Sequence, residues 1–388
     1  MVFLPALRGA LYRLRKRSVR RATLVSCLFS GGLGGVLALC PEAPPPTRTV
    51  PDEAHRMCLL PSDSTIQPDG FSSSSSSAFP IIDTHTHSWE RCYRFNDTDQ
   101  DLFACPQPPG KKARYIPAGV LPFPKLEETW RSNNVSYGVL VQPSYLGVDN
   151  SYLVRQLREH PWLRGVIVVT NADGTLDSDA VSPPLLEDMH KVGVRGVRLN
   201  LLKKSEEDMT RLNAAMDAET GDDGFVNLWA FIKEHDWHIE AQQESDGWVG
   251  LIETLVGTGC RIVVDHFSRP DPALNLEDPG WRAVLRAARD NDNIYMKITG
   301  TYRLRVCPEI LAGMAQIARE SFGIERLLWG SDYPHTGCAG PDIRHCEDSQ
   351  DYAALLQTVR DWYPDEEDQK SVLYSNAARV FSFPSLKC

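Results

Sequence analysis

The stretch IIDTHTHSWE, residues 81–90, places two histidines at the end of a short apolar run. Residues 81–85 have the length and the β-branched content of a buried strand. Because strand side chains alternate between two faces, His85 and His87 project to the same side. The stretch therefore predicts a strand whose carboxyl end presents two convergent imidazoles.

Seven further apolar runs follow this one, separated by segments with helical periodicity such as GWRAVLRAARDN. Repeated β-α units of this kind predict an α/β protein in which eight parallel strands close into a (β/α)8 barrel. A doubly wound open sheet also matches the alternation, but it usually needs a glycine-rich loop after its first strand, and none follows Ile82. The predicted strands cover residues 81–85, 137–142, 165–170, 194–200, 238–242, 261–266, 294–299 and 327–332.

The first 78 residues differ in composition from the predicted barrel, residues 79–388. Residues 1–40 combine seven basic residues with an apolar run and no acidic residue, which is typical of a targeting segment or an anchor. An extension without a targeting role has the same composition. Residues 41–78 are rich in proline and serine and form a predicted linker. A presequence would direct the protein to mitochondria or another organelle; otherwise we expect it in the cytoplasm, with membrane contact only through a retained anchor.

The overall composition is that of an ordinary globular protein, with 42% hydrophobic and 24% charged residues. The formal net charge of −10 argues against a nucleic-acid partner. Ten cysteines without CxxC spacing argue against a disulfide scaffold or a zinc ribbon.

Polar residues recur at the carboxyl ends of the predicted strands, where a parallel barrel carries its chemistry. His266 ends the sixth strand and Asp332 ends the eighth. A single strand histidine is more often a hydrogen-bonded core residue, but three histidines and one aspartate at the same end of the barrel favour a functional site. His85, His87 and Asp332 can hold one divalent ion such as zinc, since catalytic zinc takes about three protein ligands, and His266 is the other candidate for the third ligand. The same histidines can instead hold a substrate.

Four later motifs, together with the HxH of the first strand, resemble the amidohydrolase superfamily of (β/α)8 hydrolases from residue 81 to about 382. The nearest branch holds 2-pyrone-4,6-dicarboxylate lactonase and the sugar lactonases. The resemblance implies a lactone hydrolase in which Asp332 activates water while His85, His87 and His266 polarise the ester carbonyl. The four motifs are GVRGVRLN, VVDHFSRPD, MKITGTYRL and RLLWGSDYPH.

The same resemblance implies a set of anion-binding side chains and hence a small acidic lactone as substrate. Arginine reads a carboxylate with two parallel hydrogen bonds, so several basic groups at one barrel mouth suit an acid. The alternative is that Arg198 only pairs with acidic loop residues. The predicted substrate-binding residues are Ser144, Arg198, Lys204, Arg269 and Arg303.

The chain departs from the metal-binding pattern of this superfamily at the fifth strand. Metal-binding members usually add a histidine there, whereas this chain has Gln242 and Gln243. Lys297 near the end of the seventh strand would repel a cation, although it can also pair with Asp265 or Asp332. We therefore expect no cofactor, with a single divalent metal such as zinc as the alternative.

Two other functions compete with lactone hydrolysis. A metal-dependent decarboxylase of the same superfamily would share the HxH and Asp332, but it would be expected to carry the strand-five histidine. A barrel that only binds a partner is the third reading, because a fold alone does not establish catalysis.

Overall fold

Eight parallel strands form one sheet in the computed structural model, which describes residues 79–90, 120–171, 173–335 and 351–383. Each strand pairs in parallel with the next one along the chain. The predicted segments 1–40 and 41–78 lie outside the described residues. The strands are β1 (Ile81–Thr86), β2 (Val135–Val141), β3 (Leu163–Val168), β4 (Val194–Asn200), β5 (His238–Gln242), β6 (Arg261–Val264), β7 (Ile294–Lys297) and β8 (Leu327–Leu328).

Backbone hydrogen bonds between β1 and the segment that follows β8 close the barrel. The amide of Thr84 donates to the carbonyl of Trp329 at 3.2 Å, and the amide of Asp332 donates to the carbonyl of His85 at 2.8 Å. The amide of His87 donates to the carbonyl of Tyr333 at 2.9 Å. The predicted (β/α)8 barrel is confirmed, and its last closure places Asp332 directly beside the two histidines.

Six predicted strands end at a different residue from the observed ones, and the first of them, β1, extends one residue further than predicted, to Thr86. The second and third strands begin two residues earlier than predicted, and the second ends one and the third two residues earlier. The sixth and seventh predicted strands continue two residues too far. The largest error is at β8, which was predicted to reach Asp332 but ends at Leu328. Asp332 has φ of 59°, a left-handed conformation that cannot continue a strand.

Helices surround the sheet, and their sequences explain where they begin and which face they bury. In Pro279–Asp290, the carboxylate of Asp278 accepts from the Trp281 amide at 2.8 Å and so caps the first turn. Apolar side chains of this helix recur at three and four positions and pack inward. The helices are α1 (Phe123–Ser132), α2 (Ser151–Glu159), α3 (Pro183–Val192), α4 (Glu206–Met216), α5 (Asp223–Glu234), α6 (Leu251–Gly257), α7 (Pro279–Asp290), α8 (Thr301–Leu304), α9 (Pro308–Phe322), α10 (Tyr352–Trp362), α11 (Glu366–Lys370) and α12 (Asn376–Val380).

Two glycines let large rings lie close against the strands. A Cβ added to Gly138 on β2 would lie 2.1 Å from the Trp130 ring of α1, and one added to Gly196 on β4 would lie 2.5 Å from the His238 ring of β5. Both rings are therefore packed on bare backbone. Within the described residues, none of the helices combines the length and the apolar character needed to span a bilayer.

Candidate active site

The two histidines of β1 converge on the carboxylate of Asp332, as the strand alternation predicts. Asp332 Oδ1 lies 3.7 Å from His85 Nε2 and 3.5 Å from His87 Nε2. All three side chains are almost completely buried. Strand β1 and the segment after β8 therefore place two imidazoles and one carboxylate around a single point.

Asp332 is held by one of its two oxygens. Its Oδ2 accepts hydrogen bonds from the Tyr302 hydroxyl and from Arg303 Nε, both at 2.7 Å. Oδ1 has no hydrogen-bond partner among the described residues. Burial raises the pKa of this carboxyl, but the Arg303 guanidinium and the nearby imidazoles lower it by a larger amount, so the pKa lies well below its usual value. Asp332 is thus an ionised carboxylate with one oxygen left for a ligand.

In both His87 and His266, Nδ1 lies at hydrogen-bond distance from a neighbouring oxygen, and Nε2 is the nitrogen left for a ligand. His87 Nδ1 lies 2.8 Å from the Val141 carbonyl oxygen, which only accepts, so the proton of a neutral His87 is on Nδ1 and Nε2 keeps a lone pair. His266 Nδ1 lies 2.7 Å from the Thr299 hydroxyl, and its Nε2 has no partner in the described part of the chain. Burial keeps the pKa of His266 well below its ordinary value, so this ring is neutral.

His266 opens a left-handed turn, residues 266–269, in which all four residues have φ between 48° and 54°. Such residues cost roughly 1–2 kcal/mol each in backbone strain. The turn brings the His266 ring to 4.8 Å from the His85 ring, centroid to centroid, and leads the chain to Arg269. Strained backbone of this kind is often found at functional sites.

A buried ionic cluster surrounds the other edge of His85. His85 Nδ1 lies 3.1 Å from Lys297 Nζ, 3.3 Å from Asp265 Oδ1 and 3.4 Å from Glu240 Oε1. Lys297 also makes a short ion pair with Glu240 Oε2. Burial, followed by the charge of Lys297, lowers the pKa of His85 to about 4, so His85 is neutral at pH 7. Of the two pairings considered for Lys297, that with Asp265 is present at 4.0 Å, and the shorter pair is with Glu240.

The three predicted anion-binding arginines all face acidic partners. Arg198 is only 3% exposed, and its Nη2 donates to Gln242 Oε1 at 2.8 Å and to Asp265 Oδ2 at 3.2 Å. Arg269 pairs with Glu244 at 3.2 Å, and Arg303 pairs with Asp332. The alternative raised for Arg198, pairing with an acidic residue outside the strands, is observed, since Asp265 directly follows β6. Substrate binding by these arginines stays a prediction.

The other two predicted substrate-binding residues, Ser144 and Lys204, are on loops that follow strands. Ser144 opens the short 3-10 helix Ser144–Leu146 after β2, and Lys204 follows β4. Both side chains are partly buried. Their positions after the carboxyl ends of the strands are compatible with the predicted role, which also stays a prediction.

One divalent ion would fit between His85, His87 and Asp332. The ligand atoms of these three residues lie within 4.8 Å of one another, and the two nitrogen–oxygen separations of 3.5 and 3.7 Å approximate those around tetrahedral zinc. A histidine that binds a metal through one ring nitrogen usually donates the other N–H to a carbonyl or carboxylate, as His87 Nδ1 can do to the carbonyl of Val141. His85 matches less well, because its Nδ1 faces the ammonium of Lys297.

Three further residues of the site escaped the sequence analysis. Glu240 interrupts the predicted fifth strand with a charge, and Asp83 does the same in the first strand; these are the signals that would have found them. Asp83 accepts from the Ser331 amide at 2.9 Å and from its hydroxyl at 2.6 Å, which ties β1 to the residue before Asp332. Tyr302 holds Asp332; it lies in the motif MKITGTYRL, from which only Arg303 was selected as a site residue.

The family model for amidohydrolases matches residues 82–383 of this chain. The chain belongs to the amidohydrolase family. This finding confirms the resemblance carried by the HxH and the four later motifs.

Relatives of this amidohydrolase act on lactones. A 4-sulfomuconolactone hydrolase of Rhizobium radiobacter is 28% identical over 254 residues, covering 64% of this chain and 76% of the relative. A hydrolase of Comamonas testosteroni named for 2-pyrone-4,6-dicarboxylate is 25% identical over 254 residues, which cover 63% of this chain and 75% of the relative. A crystal structure of a probable 2-pyrone-4,6-dicarboxylic acid hydrolase of Acinetobacter baumannii, with citric acid bound, has a TM-score of 0.60 at 26% identity and covers 79% of this chain and 100% of its own.

Proposed function

We propose that this amidohydrolase hydrolyses a lactone of a carboxylic or sugar acid, with Asp332 as the general base. The observation that carries the proposal is the position of Asp332 Oδ1, buried, ionised and without a partner among the described residues, between two imidazole nitrogens. The lactone hydrolases among its relatives support the same reaction class.

The attacking water has a natural position between Asp332 and His87. Asp332 Oδ1 and His87 Nε2 are both acceptors and lie 3.5 Å apart, so one water can donate a proton to each of them. As the water oxygen forms its bond to the lactone carbonyl carbon, Asp332 takes one of the two protons. A base with a low pKa is suited to holding the water and accepts the proton only as the bond forms.

The lactone carbonyl would be directed at His85 and His266. A proton on His85 Nε2 would donate to the carbonyl oxygen and stabilise the negative charge that develops there. When the tetrahedral intermediate collapses, the ring carbon–oxygen bond breaks and Asp332 returns its proton to the departing oxygen. One water is consumed, and the new carboxylic acid releases one proton to solvent.

The acidic part of the substrate would bind to the basic residues at the barrel mouth. We assign this role to Arg269, Arg303 and Lys204, with Ser144 as a hydrogen-bonding residue and Arg198 as a buried cation behind them. Arg269 is the most exposed of the three arginines, with 21% of its side chain accessible. It can exchange Glu244 for a substrate carboxylate at the smallest cost in desolvation.

We further propose that the reaction needs no metal. If an ion binds, His85, His87 and Asp332 would hold it, and it would supply Lewis-acid polarisation of the carbonyl. The ammonium of Lys297 next to His85 and the glutamines in place of a strand-five histidine both favour a site that works without it. His85 then supplies the polarising proton itself.

The test is acid release from a panel of dicarboxylate and sugar-acid lactones, followed with a pH indicator on the full chain after treatment with a strong chelator. We expect turnover that added zinc does not increase. Activity that returns only with zinc would refute metal independence, and silence in both conditions would refute lactone hydrolysis. Release of carbon dioxide from hydroxybenzoates would then favour a decarboxylase, and its absence a binding protein.

A further inference from the structure

Lys297 is a completely buried lysine that touches a proposed catalytic histidine. Its Nζ lies 3.1 Å from His85 Nδ1, and its side chain has no exposed surface. We propose that Lys297 is a positioning residue that keeps the proton of His85 on Nε2, the nitrogen that faces Asp332 and the substrate. The inference rests on the proposed function for its catalytic consequence, but not for its structural test.

An ammonium group can only donate hydrogen bonds. Lysine has three donor protons and no acceptor, so a hydrogen bond between Lys297 and His85 makes Nδ1 the acceptor. Asp265 Oδ1 and Glu240 Oε1 also approach Nδ1, at 3.3 and 3.4 Å, but the ammonium is the nearest of the three groups at 3.1 Å. The proton of the neutral ring is therefore on Nε2.

The surroundings of Lys297 hold its ammonium in this position. Glu240 Oε2 accepts a short hydrogen bond from it, and Asp265 Oδ1 lies 4.0 Å away. The ring of Phe381 lies 5.7 Å from Nζ and adds a cation–π contact. Two carboxylates and an aromatic ring therefore stabilise the positive charge of a completely buried side chain.

Removal of the ammonium reverses the preference of His85. The neighbours of Nδ1 would then be two carboxylate oxygens at 3.3 and 3.4 Å, which only accept, so the proton would move to Nδ1. Nε2 would present a lone pair to Asp332 and to the lactone carbonyl. The donor that we assign to the developing oxyanion would be lost, although every atom of His85 would remain in place.

The direct test is the histidine tautomer, measured by long-range proton–nitrogen NMR correlation on the full chain with ¹⁵N-labelled histidine at pH 7.5. His85→Gln assigns the His85 signals by their disappearance. We expect wild-type His85 to show a protonated Nε2 and an unprotonated Nδ1, and Lys297→Met to reverse the pattern. A protonated Nδ1 in the wild type overturns the proposal by itself, so this test does not require Lys297→Met to fold. An unchanged pattern in folded Lys297→Met also overturns it.

Glu240→Gln is the matched control, because its amide oxygen can still accept from Lys297 while one charge is removed. We expect this variant to keep the wild-type tautomer. A reversal in Glu240→Gln would assign the tautomer to the carboxylates and would refute the role of Lys297. These measurements need no substrate, so their outcome is independent of whether the protein is a lactonase.

Kinetics give the second readout. In Lys297→Met, kcat should fall about 100-fold, as after loss of one oxyanion donor, while KM changes by no more than a few-fold. The kcat is referred to the folded fraction measured by urea unfolding, so a lysine that only stabilises the fold would leave it unchanged, and such a result would count against positioning.

Discussion

Replacing Asp332 with asparagine separates the base from the geometry that holds it. Tyr302 and Arg303 both donate to Oδ2, so the amide oxygen of asparagine must take that place. Its NH2 group then occupies the position of Oδ1, facing His87 Nε2. The side chain keeps its location, and only its ability to accept a proton from water is removed.

The magnitude of the effect follows from these two hydrogen bonds and from the charge that is removed. Both bonds can persist, but the buried Arg303 loses its carboxylate partner, and since loss of one partner of a buried ion pair typically costs about 3–5 kcal/mol, the free energy of unfolding should fall by about 3 kcal/mol. Loss of a general base lowers kcat by 10²–10⁴-fold, and we expect about 10³-fold. Binding of an acidic lactone should persist, because one negative charge has left the site.

The assay is indicator-monitored acid release, with binding followed by calorimetry and stability by urea unfolding. Asp278→Asn is the matched control, because Asp278 is equally buried but only caps α7 and contacts Ser245 and the Asp271 amide. It should lose about 1 kcal/mol of stability and no activity. If kcat of Asp332→Asn stays within tenfold of the wild type, or if the control loses as much, Asp332 is not the base.

Three further predictions concern stability and metal binding. The folded-state pKa of His85 and His335 is about 4, below the ordinary 6.5, so only the unfolded chain gains these protons between pH 6.5 and 4. Urea unfolding should therefore show stability falling as pH drops through this window, by up to about 3 kcal/mol per histidine, and a flat profile would contradict it. Gly196→Ala should cost about 1–3 kcal/mol by collision with His238, whereas Gly313→Ala, where a Cβ meets open space, should not destabilise. Lys297→Met should bind zinc at least tenfold more tightly than the wild type in chelator competition, because Nδ1–H would then face a carboxylate; equal affinities would argue against the tautomer switch.

The sequence was sufficient for the features that follow from periodicity. Alternation along 81–87 predicted the convergence of His85 and His87, and the rule that barrels place chemistry at carboxyl ends selected His266 and Asp332. The predicted end of the eighth strand was wrong, since apolar residues and small residues continue past Leu328 while the backbone turns. No local sequence pattern indicates the left-handed φ of Asp332.

Hydrogen-bond partners across the barrel were beyond such reasoning. Arg198 and Asp265 are 67 residues apart, and so their pairing depends on the rotation of two strands about the barrel axis. Each of the two was recognised as a polar residue at a strand end, but with no basis for pairing one with the other. Glu240 was passed over for the same reason, because its partner Lys297 is 57 residues away.

Three buried carboxylates at the barrel mouth, Asp332, Glu240 and Asp265, each have a cation beside them. Buried ion pairs add little to stability compared with apolar packing, but loss of one partner typically costs 3–5 kcal/mol. The charges are therefore difficult to change one at a time, and what distinguishes the imidazoles between them, when neutral, is which nitrogen carries the proton. Lys297 sets the position of that proton for His85 and Val141 for His87, so one ring donates where the other accepts. The pairs are Arg303 with Asp332, Lys297 with Glu240, and Arg198 with Asp265.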